Sequence, residues 1–203
     1  ETGWLGSLMP VVIIPLLTSL IVGLAMYLLL GAPLAAIMEG LQNWLSSMSG
    51  SSAVLLGIIL GLMMCFDLGG PVNKAAYLFA TAGLSTGDES SMQIMAAVMA
   101  SGMVAPIALS LATFIRKSLF TPAEQENGKS AWLLGLSFVS EGAIPFAAAD
   151  PFRVIPSMMA GGAVTGAISM ALSVSSRAPH GGVFVFFAID PFWGYLVAIA
   201  AGV

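Results

Sequence analysis

Long stretches without an ionisable side chain alternate along this chain with short segments where charge, glycine and proline collect. Met9 to Leu30, Ser90 to Ile115 and Val154 to Ser176 contain no Asp, Glu, Lys or Arg. Crossing the hydrocarbon of a bilayer, about 30 Å thick, takes roughly 20 apolar residues of helix, and each run is long enough to span. Leu41 to Phe66 is also uncharged, but the serine-rich joint Ser46 to Ser52 divides it into an interfacial stretch and a span from about Ala53. The run from Gly181 to Val203 is interrupted by Asp190 and Pro191, which predicts a loop and then the start of a helix. Asp67 to Asp88 and Ser130 to Asp150 are apolar on average, yet carry an ionisable residue near the middle together with Gly and Pro. Irregular backbone at membrane depth is tolerated only where protein buries it or it lines a wet cavity. Both segments are therefore expected to be re-entrant hairpins.

The segment Arg116 to Ser130 is the one clearly aqueous stretch and holds three of the six basic residues, which places it in the cytoplasm by the positive-inside rule. Thr121, Pro122 and Glu124 stand at the N-cap, first and third positions of a capping box, so a helix starts near Pro122. Gly57 and Gly61, and again Gly162 and Gly166, are four residues apart, a spacing that lets helix backbones approach closely. The methionines at 92, 95, 99 and 103 read as helix core.

Composition narrows the class. Of 203 residues, 58% are hydrophobic and only 8% charged, with a mean hydropathy of +0.99. A water-facing surface is roughly a quarter to a third ionic, so soluble enzymes, secreted domains and disordered chains are excluded. The net charge of -4, with no basic cluster, argues against a nucleic-acid partner. The single cysteine, Cys65, rules out an intramolecular disulfide framework and reads as a small buried hydrophobe. No metal-ligand cluster and no cofactor are expected. The chain opens on Glu1 without a Met and closes in an apolar stretch, so both ends are expected to be cuts in a longer protein, with residues 1–3 belonging to a preceding loop.

Charge inside a membrane is costly, about 2.5 to 3.5 kcal/mol on insertion scales, so each such residue is a functional candidate. In FDLGGPVNKAAY, Gly69, Gly70 and Pro71 break a helix, and Asn73 and Lys74 follow within a turn; broken helix ends are where transporters bind polar solutes. Asp67 is placed to pair with Lys74, either as part of a site or merely to hold the hairpin. In SFVSEGAIPF, Glu141 sits at a break with no basic residue nearby in sequence, where a carboxylate accepts two sugar hydroxyls, serves as a general base, or caps the next turn. Asp150 and Arg153 in DPFRVIP read as an N-cap carboxylate and a local ion pair. His180 in RAPHGG, the only histidine, is either a ligand for substrate or phosphate donor or a hydrogen-bonded loop residue.

These segments, FDLGGPVNKAAYLF, FTPAEQENGKSAWLLGLSFVSEGAIPFAAADPFRVIPSMMAGGAVTGA and RAPHGGVFV, resemble the fructose-specific permease, enzyme IIC, of the bacterial phosphoenolpyruvate-dependent sugar phosphotransferase system. The likeness runs from about Met9 to the end. The resemblance implies group translocation, in which fructose or a related sugar crosses the inner membrane and is phosphorylated by a phosphocysteine on enzyme IIB, itself charged by enzyme IIA. The permease is then one component of a sugar phosphotransferase complex and a multi-pass, homodimeric inner-membrane protein. Glu141 matches the family's hairpin carboxylate that binds sugar hydroxyls beside the phosphate acceptor. Asn73 and Lys74 match an Asn and a basic residue of the other hairpin, a position held by His in some relatives. Cys65, in a membrane helix, is not the phosphocysteine.

The resulting expectation is an all-α integral membrane protein with about five spanning helices and two re-entrant hairpins, a partial enzyme IIC-like fold forming a single domain over 1–203. Its parts are N-terminal helices over 4–66, a first hairpin over 67–88, a helix over 89–115, a cytoplasmic loop over 116–130, a second hairpin over 131–150 and C-terminal helices over 151–203. Glu141 is the expected catalytic residue, with Asn73, Lys74, Asp67 and His180 beside it as sugar ligands. The rivals are an ion-coupled secondary sugar transporter, with Glu141 or Asp67 carrying a proton, and a structural subunit with no site of its own.

Overall fold

Two prolines widen the first helix of the computed structural model without breaking it. α1 (Gly3–Leu8), α2 (Ile14–Ala25) and α3 (Gly31–Ser47) form a continuous helical path, joined by π-helical stretches at Met9–Ile13 and Met26–Leu30. A proline ring inside a helix crowds the carbonyl four residues earlier. For Pro15 that carbonyl belongs to Val11 and for Pro33 to Leu29, so each widened turn lies where a ring needs room. The stretch Gly3–Pro33 is long and apolar enough to cross a membrane and is exposed along its length within its own unit.

The structure describes residues 3–47 and 52–203, in two compact units, one ending at Ser47 and the other holding everything from Ser52 on. Most of the serine-rich joint, residues 48–51, and the first two residues lie outside the described part.

The second unit is built around one helix. α4 (Ala53–Phe66), α5 (Pro71–Leu84), α6 (Glu89–Ile115), α7 (Pro122–Leu136), α8 (Ile144–Ala149), α9 (Pro151–Ala171) and α10 (Phe192–Gly202) follow in order. Every residue of α6 from Ile94 to Pro106 is buried. A helix buried on all sides must be apolar all round, and its run of Ala, Ser and Gly lets neighbours come close. Met95, Met99 and Met103 are fully buried there, as core. Glu89–Ile115 and Pro151–Ala171 are long and apolar enough to span, and Ala53–Phe66 and Phe192–Gly202 are shorter apolar helices. The all-α membrane class is thus observed, with apolar helices at the expected places.

The two glycine pairs meet each other. Gly57 of α4 lies against Gly166 of α9, and Gly61 against Gly162; a Cβ on any of the four would overlap the facing carbonyl. Polar side chains extend the seam. The Cys65 thiol donates to the Ser101 carbonyl (3.3 Å) and the Ser101 hydroxyl to the Gly162 carbonyl (3.2 Å), linking α4, α6 and α9. Thr165 donates to the Ala198 carbonyl (3.0 Å), and the Tyr195 hydroxyl to the Met103 sulfur (2.8 Å), which fastens α10.

Both segments expected as hairpins are broken helical pieces. α4 stops at Phe66, turns through residues 67–70 and resumes as α5. α7 stops at Leu136 and is followed by a 3-10 turn, Ser140–Ala143, and by α8. Past α9, a two-residue antiparallel pairing of β1 (Ser175–Ser176) with β2 (Ile189–Asp190) closes the loop that carries His180 and a 3-10 helix, Gly182–Ala188. The capping box at Thr121 is formed: Thr121 N–H donates to Glu124 Oε2 (2.7 Å), and Glu124 N–H to the Thr121 hydroxyl (3.3 Å). Asp88 caps α6, and hydrogen bonds from Ser91 and Thr86 hold its carboxyl below the usual range. Asp150 forms the ion pair expected with Arg153 and departs from expectation only in its cap. It occupies the N-cap position of α9, but its carboxylate turns to Arg153 (3.7 Å) rather than to a helix N–H.

Overpacking a tight contact typically costs 1–3 kcal/mol, so Gly61→Val is expected to lower the thermal midpoint of the detergent-solubilised protein by several degrees. An unchanged midpoint would mean that α4 and α9 separate freely.

Candidate functional site

The FDLGGPVN break is stitched from both sides. Gly70 stands at the N-cap of α5 without a side chain to offer, and Asp67, three residues earlier, takes over: its Oδ2 accepts from Val72 N–H (2.7 Å) and its Oδ1 from Asn73 N–H (2.9 Å). Helix ends leave orphan donors and acceptors, and the carboxylate satisfies two of the donors. In return, Asn73 Nδ2 donates to the Met64 carbonyl in the last turn of α4 (2.8 Å). The expected Asp67–Lys74 pair is therefore absent, because the N-terminus of α5 already engages both carboxylate oxygens.

Lys74 instead reaches across to the second break, where its Nζ lies 3.7 Å from Glu141 Oε1, each side chain about half exposed (53% and 47%). The glycine at 69 makes this meeting possible. It adopts a left-handed φ of +106°, and a Cβ there would collide with the Glu141 carboxylate.

Proline on α6 anchors the Glu141 turn. Pro106 has no N–H for the carbonyl of residue 102, four positions back, and that carbonyl accepts the Ser140 hydroxyl at 2.6 Å. On the other side, Asn127 Nδ2 of α7 donates to the Gly142 carbonyl (3.1 Å). Glu141 is thus flanked on both sides by residues tied to neighbouring helices. It makes no cap bond to α8, which excludes the capping role.

Asn73, Lys74, Glu141 and His180 line one cavity of about 100 Å³, together with Met64, Tyr77, Phe138 and Ser140. Four of the five residues picked from sequence come together here. Asp67 does not: it faces a separate apolar cavity beside Ile144 and Ile155 and acts as a cap. Arg177 is exposed and is not among the lining residues. One amide hydrogen of Asn73 is engaged by Met64, so its other hydrogen and its oxygen are what remain for a ligand. The cavity thus offers a carboxylate acceptor, an ammonium donor, an amide and an imidazole within one polar wall, a set suited to a polyhydroxylated solute. Sequence reasoning missed Tyr77, Phe138, Ser140 and Asn127. Tyr77 had a signal, since it sits one turn after Asn73 and Lys74 on the same helix face.

The family profile that matches residues 5–161 is described as "Phosphotransferase system, EIIC". The chain is similar to the "PTS system fructose-specific EIIB'BC component" of Escherichia coli (strain K12), 58% identical over 199 residues that cover 97% of this chain and 35% of that protein. A protein of the same description from Vibrio cholerae is 53% identical over 201 residues, covering 98% and 34%. The "Fructose permease IIC component" of Bacillus amyloliquefaciens is 45% identical over 198 residues, covering 98% and 64%. The chain spans about a third of the length of the first two. No solved structure matches it.

Ser140→Ala leaves the carbonyl of residue 102 buried without a partner, a loss of about 1–3 kcal/mol. The variant is expected to unfold at lower temperature, and pairing it with Pro106→Ala, which restores an N–H to that carbonyl, is expected to recover part of the midpoint.

Proposed function

The chain belongs to the phosphotransferase system EIIC family, and from that premise we propose that it carries fructose across the bacterial inner membrane and presents it to an EIIB domain for phosphorylation. The observation that carries this reading is the junction of Lys74 and Glu141, from breaks 67 residues apart in the chain, over one cavity that Asn73 and His180 also line. A half-exposed ion pair at 3.7 Å contributes little to stability, about 0–1 kcal/mol. It is instead an exchangeable pair of ligands. One sugar hydroxyl donates to the Glu141 carboxylate while the oxygen of its neighbour accepts from the Lys74 ammonium, so neither charge is left unpaired as sugar enters.

Phosphoryl transfer follows from the same placement. The acceptor hydroxyl, hydrogen-bonded to Glu141, gives its proton to that carboxylate as its oxygen attacks the phosphorus of the EIIB phosphocysteine. The S–P bond breaks, the O–P bond forms, and thiolate leaves. Arg116 and Lys117 precede α7 and Lys129 lies within it, which supports a cytoplasmic location for that end. A homodimer in the bilayer, served by EIIB and EIIA, completes the assembly.

Equilibrium binding of labelled fructose to the full-length protein in detergent tests the site. Glu141→Gln is expected to weaken binding at least about tenfold with the thermal midpoint retained; unchanged affinity would remove Glu141 from the site. In vesicles supplied with phosphorylated EIIB, the internal product is expected to be sugar phosphate, and free sugar would favour the ion-coupled transporter. Mannitol as competitor reports on sugar identity.

A further inference from the structure

The cavity has an aromatic wall that its charged residues do not explain. The Phe138 ring lies 4.9 Å from the His180 ring and 6.0 Å from that of Tyr77, centroid to centroid, and Tyr77 and His180 meet edge to face at 6.5 Å and 80°. Phe138 is only 6% exposed and holds a left-handed φ of +66°. Its ring edge fills the space over residue 102 of α6, where a glycine leaves no Cβ to obstruct it. The loop bearing His180 presses on the same place, for Gly182, at φ +60°, packs against the Leu136 carbonyl and the Phe138 backbone. Phe138 is thus a fixed backing, while half-buried Tyr77 and exposed His180 both border the cavity.

Tyr77 follows Lys74 by three positions on α5, so ammonium and ring share one helix face. The polar side of the cavity holds Lys74, Asn73 and Glu141, and the rings stand beside them. A cyclic sugar has the same division: hydroxyls around its edge and a patch of polarised C–H bonds on a ring face. Aromatic rings carry a negative face that attracts positive edges. Resting on the sugar site argued above, we propose that the Tyr77 ring, steadied by Phe138 and His180, is the platform on which the C–H face of a cyclic monosaccharide lies while its hydroxyls reach Glu141 and Lys74.

Fructose binding to the full-length protein, compared for wild type, Tyr77→Phe and Tyr77→Leu, tests the platform. Tyr77→Phe keeps the ring and is expected to bind within about twofold of wild type, whereas Tyr77→Leu is expected to bind roughly tenfold more weakly. Wild-type affinity in Tyr77→Leu overturns the proposal, as does an equal loss in both variants, which would assign the contact to the hydroxyl. Should Tyr77→Leu fail to fold, saturation-transfer NMR on the unmodified protein reads the same contact. Irradiating aromatic protons is expected to saturate ring C–H protons of the sugar, and no transfer from them overturns the platform. Loss of binding in Glu141→Gln alone, with Tyr77→Leu unaffected, would leave the sugar site standing and remove only the platform; no loss in either would remove both.

Discussion

The glycine seam between α4 and α9 is the constraint on which the second unit depends. Lipid is as apolar as a leucine side chain, so helices in a membrane gain nothing by hiding hydrophobic surface from it; close van der Waals contact and interhelical hydrogen bonds decide which faces meet. Gly57 and Gly61 against Gly166 and Gly162 bring two backbones together, and Cys65 and Ser101 fasten α6 into the same contact. The C-terminal end of α4 is thereby held against two helices at once. The turn 67–70 and the start of α5, which carry Asn73 and Lys74, hang from that end through reciprocal caps, so the position of Lys74 is inherited from the seam.

Each helix break near the cavity has some of its freed backbone groups answered by a named side chain. Asp67 and Asn73 answer the two sides of the α4–α5 break, and Asn127 answers the Gly142 carbonyl. The proline inside α6 is part of the same economy of hydrogen bonds. By withholding an N–H, Pro106 leaves one carbonyl of a buried helix facing outward, and Ser140 docks the Glu141 turn on it. Irregular backbone among apolar helices persists under such conditions, and the same side chains that answer the breaks stand beside the polar cavity.

The legible part of the fold was what insertion into lipid dictates. Uncharged runs located the apolar helices, Thr121 and Glu124 announced a helix start, and charges next to Gly and Pro located the two breaks. Pairing across space was not legible. Asp67 and Lys74 are near in sequence and of opposite sign, yet cap geometry engages Asp67 and leaves Lys74 for a carboxylate 67 residues away. Asp150 was legible in part: its ion pair with Arg153 and its N-cap position are as expected, and only the carboxylate bond to a helix N–H is missing, because Arg153 competes for the carboxylate. Phe138 carried no polar flag, because in a chain this apolar a ring facing a cavity reads like a ring facing lipid, and Tyr77 carried only its spacing after Asn73 and Lys74.

The placement of Lys74 and Glu141 on different breaks has a mechanical consequence. Each charge has the other as partner, so the two breaks are joined by one loose pair of half-exposed groups. On the proposed reading, a sugar that inserts its hydroxyls between them would replace a single contact at 3.7 Å by several hydrogen bonds, each charge-assisted and shorter. On that reading the same ligand would touch α5 through Lys74 and Asn73 and the α7–α8 break through Glu141. Asn73 anchors the first break to α4 and Ser140 anchors the second to α6, so a ligand shared by Lys74 and Glu141 would bridge two separately braced segments. On the proposed reading, a site assembled from two separately braced helix breaks would couple occupancy to the relative position of its halves, which is what a carrier, unlike a rigid receptor, requires.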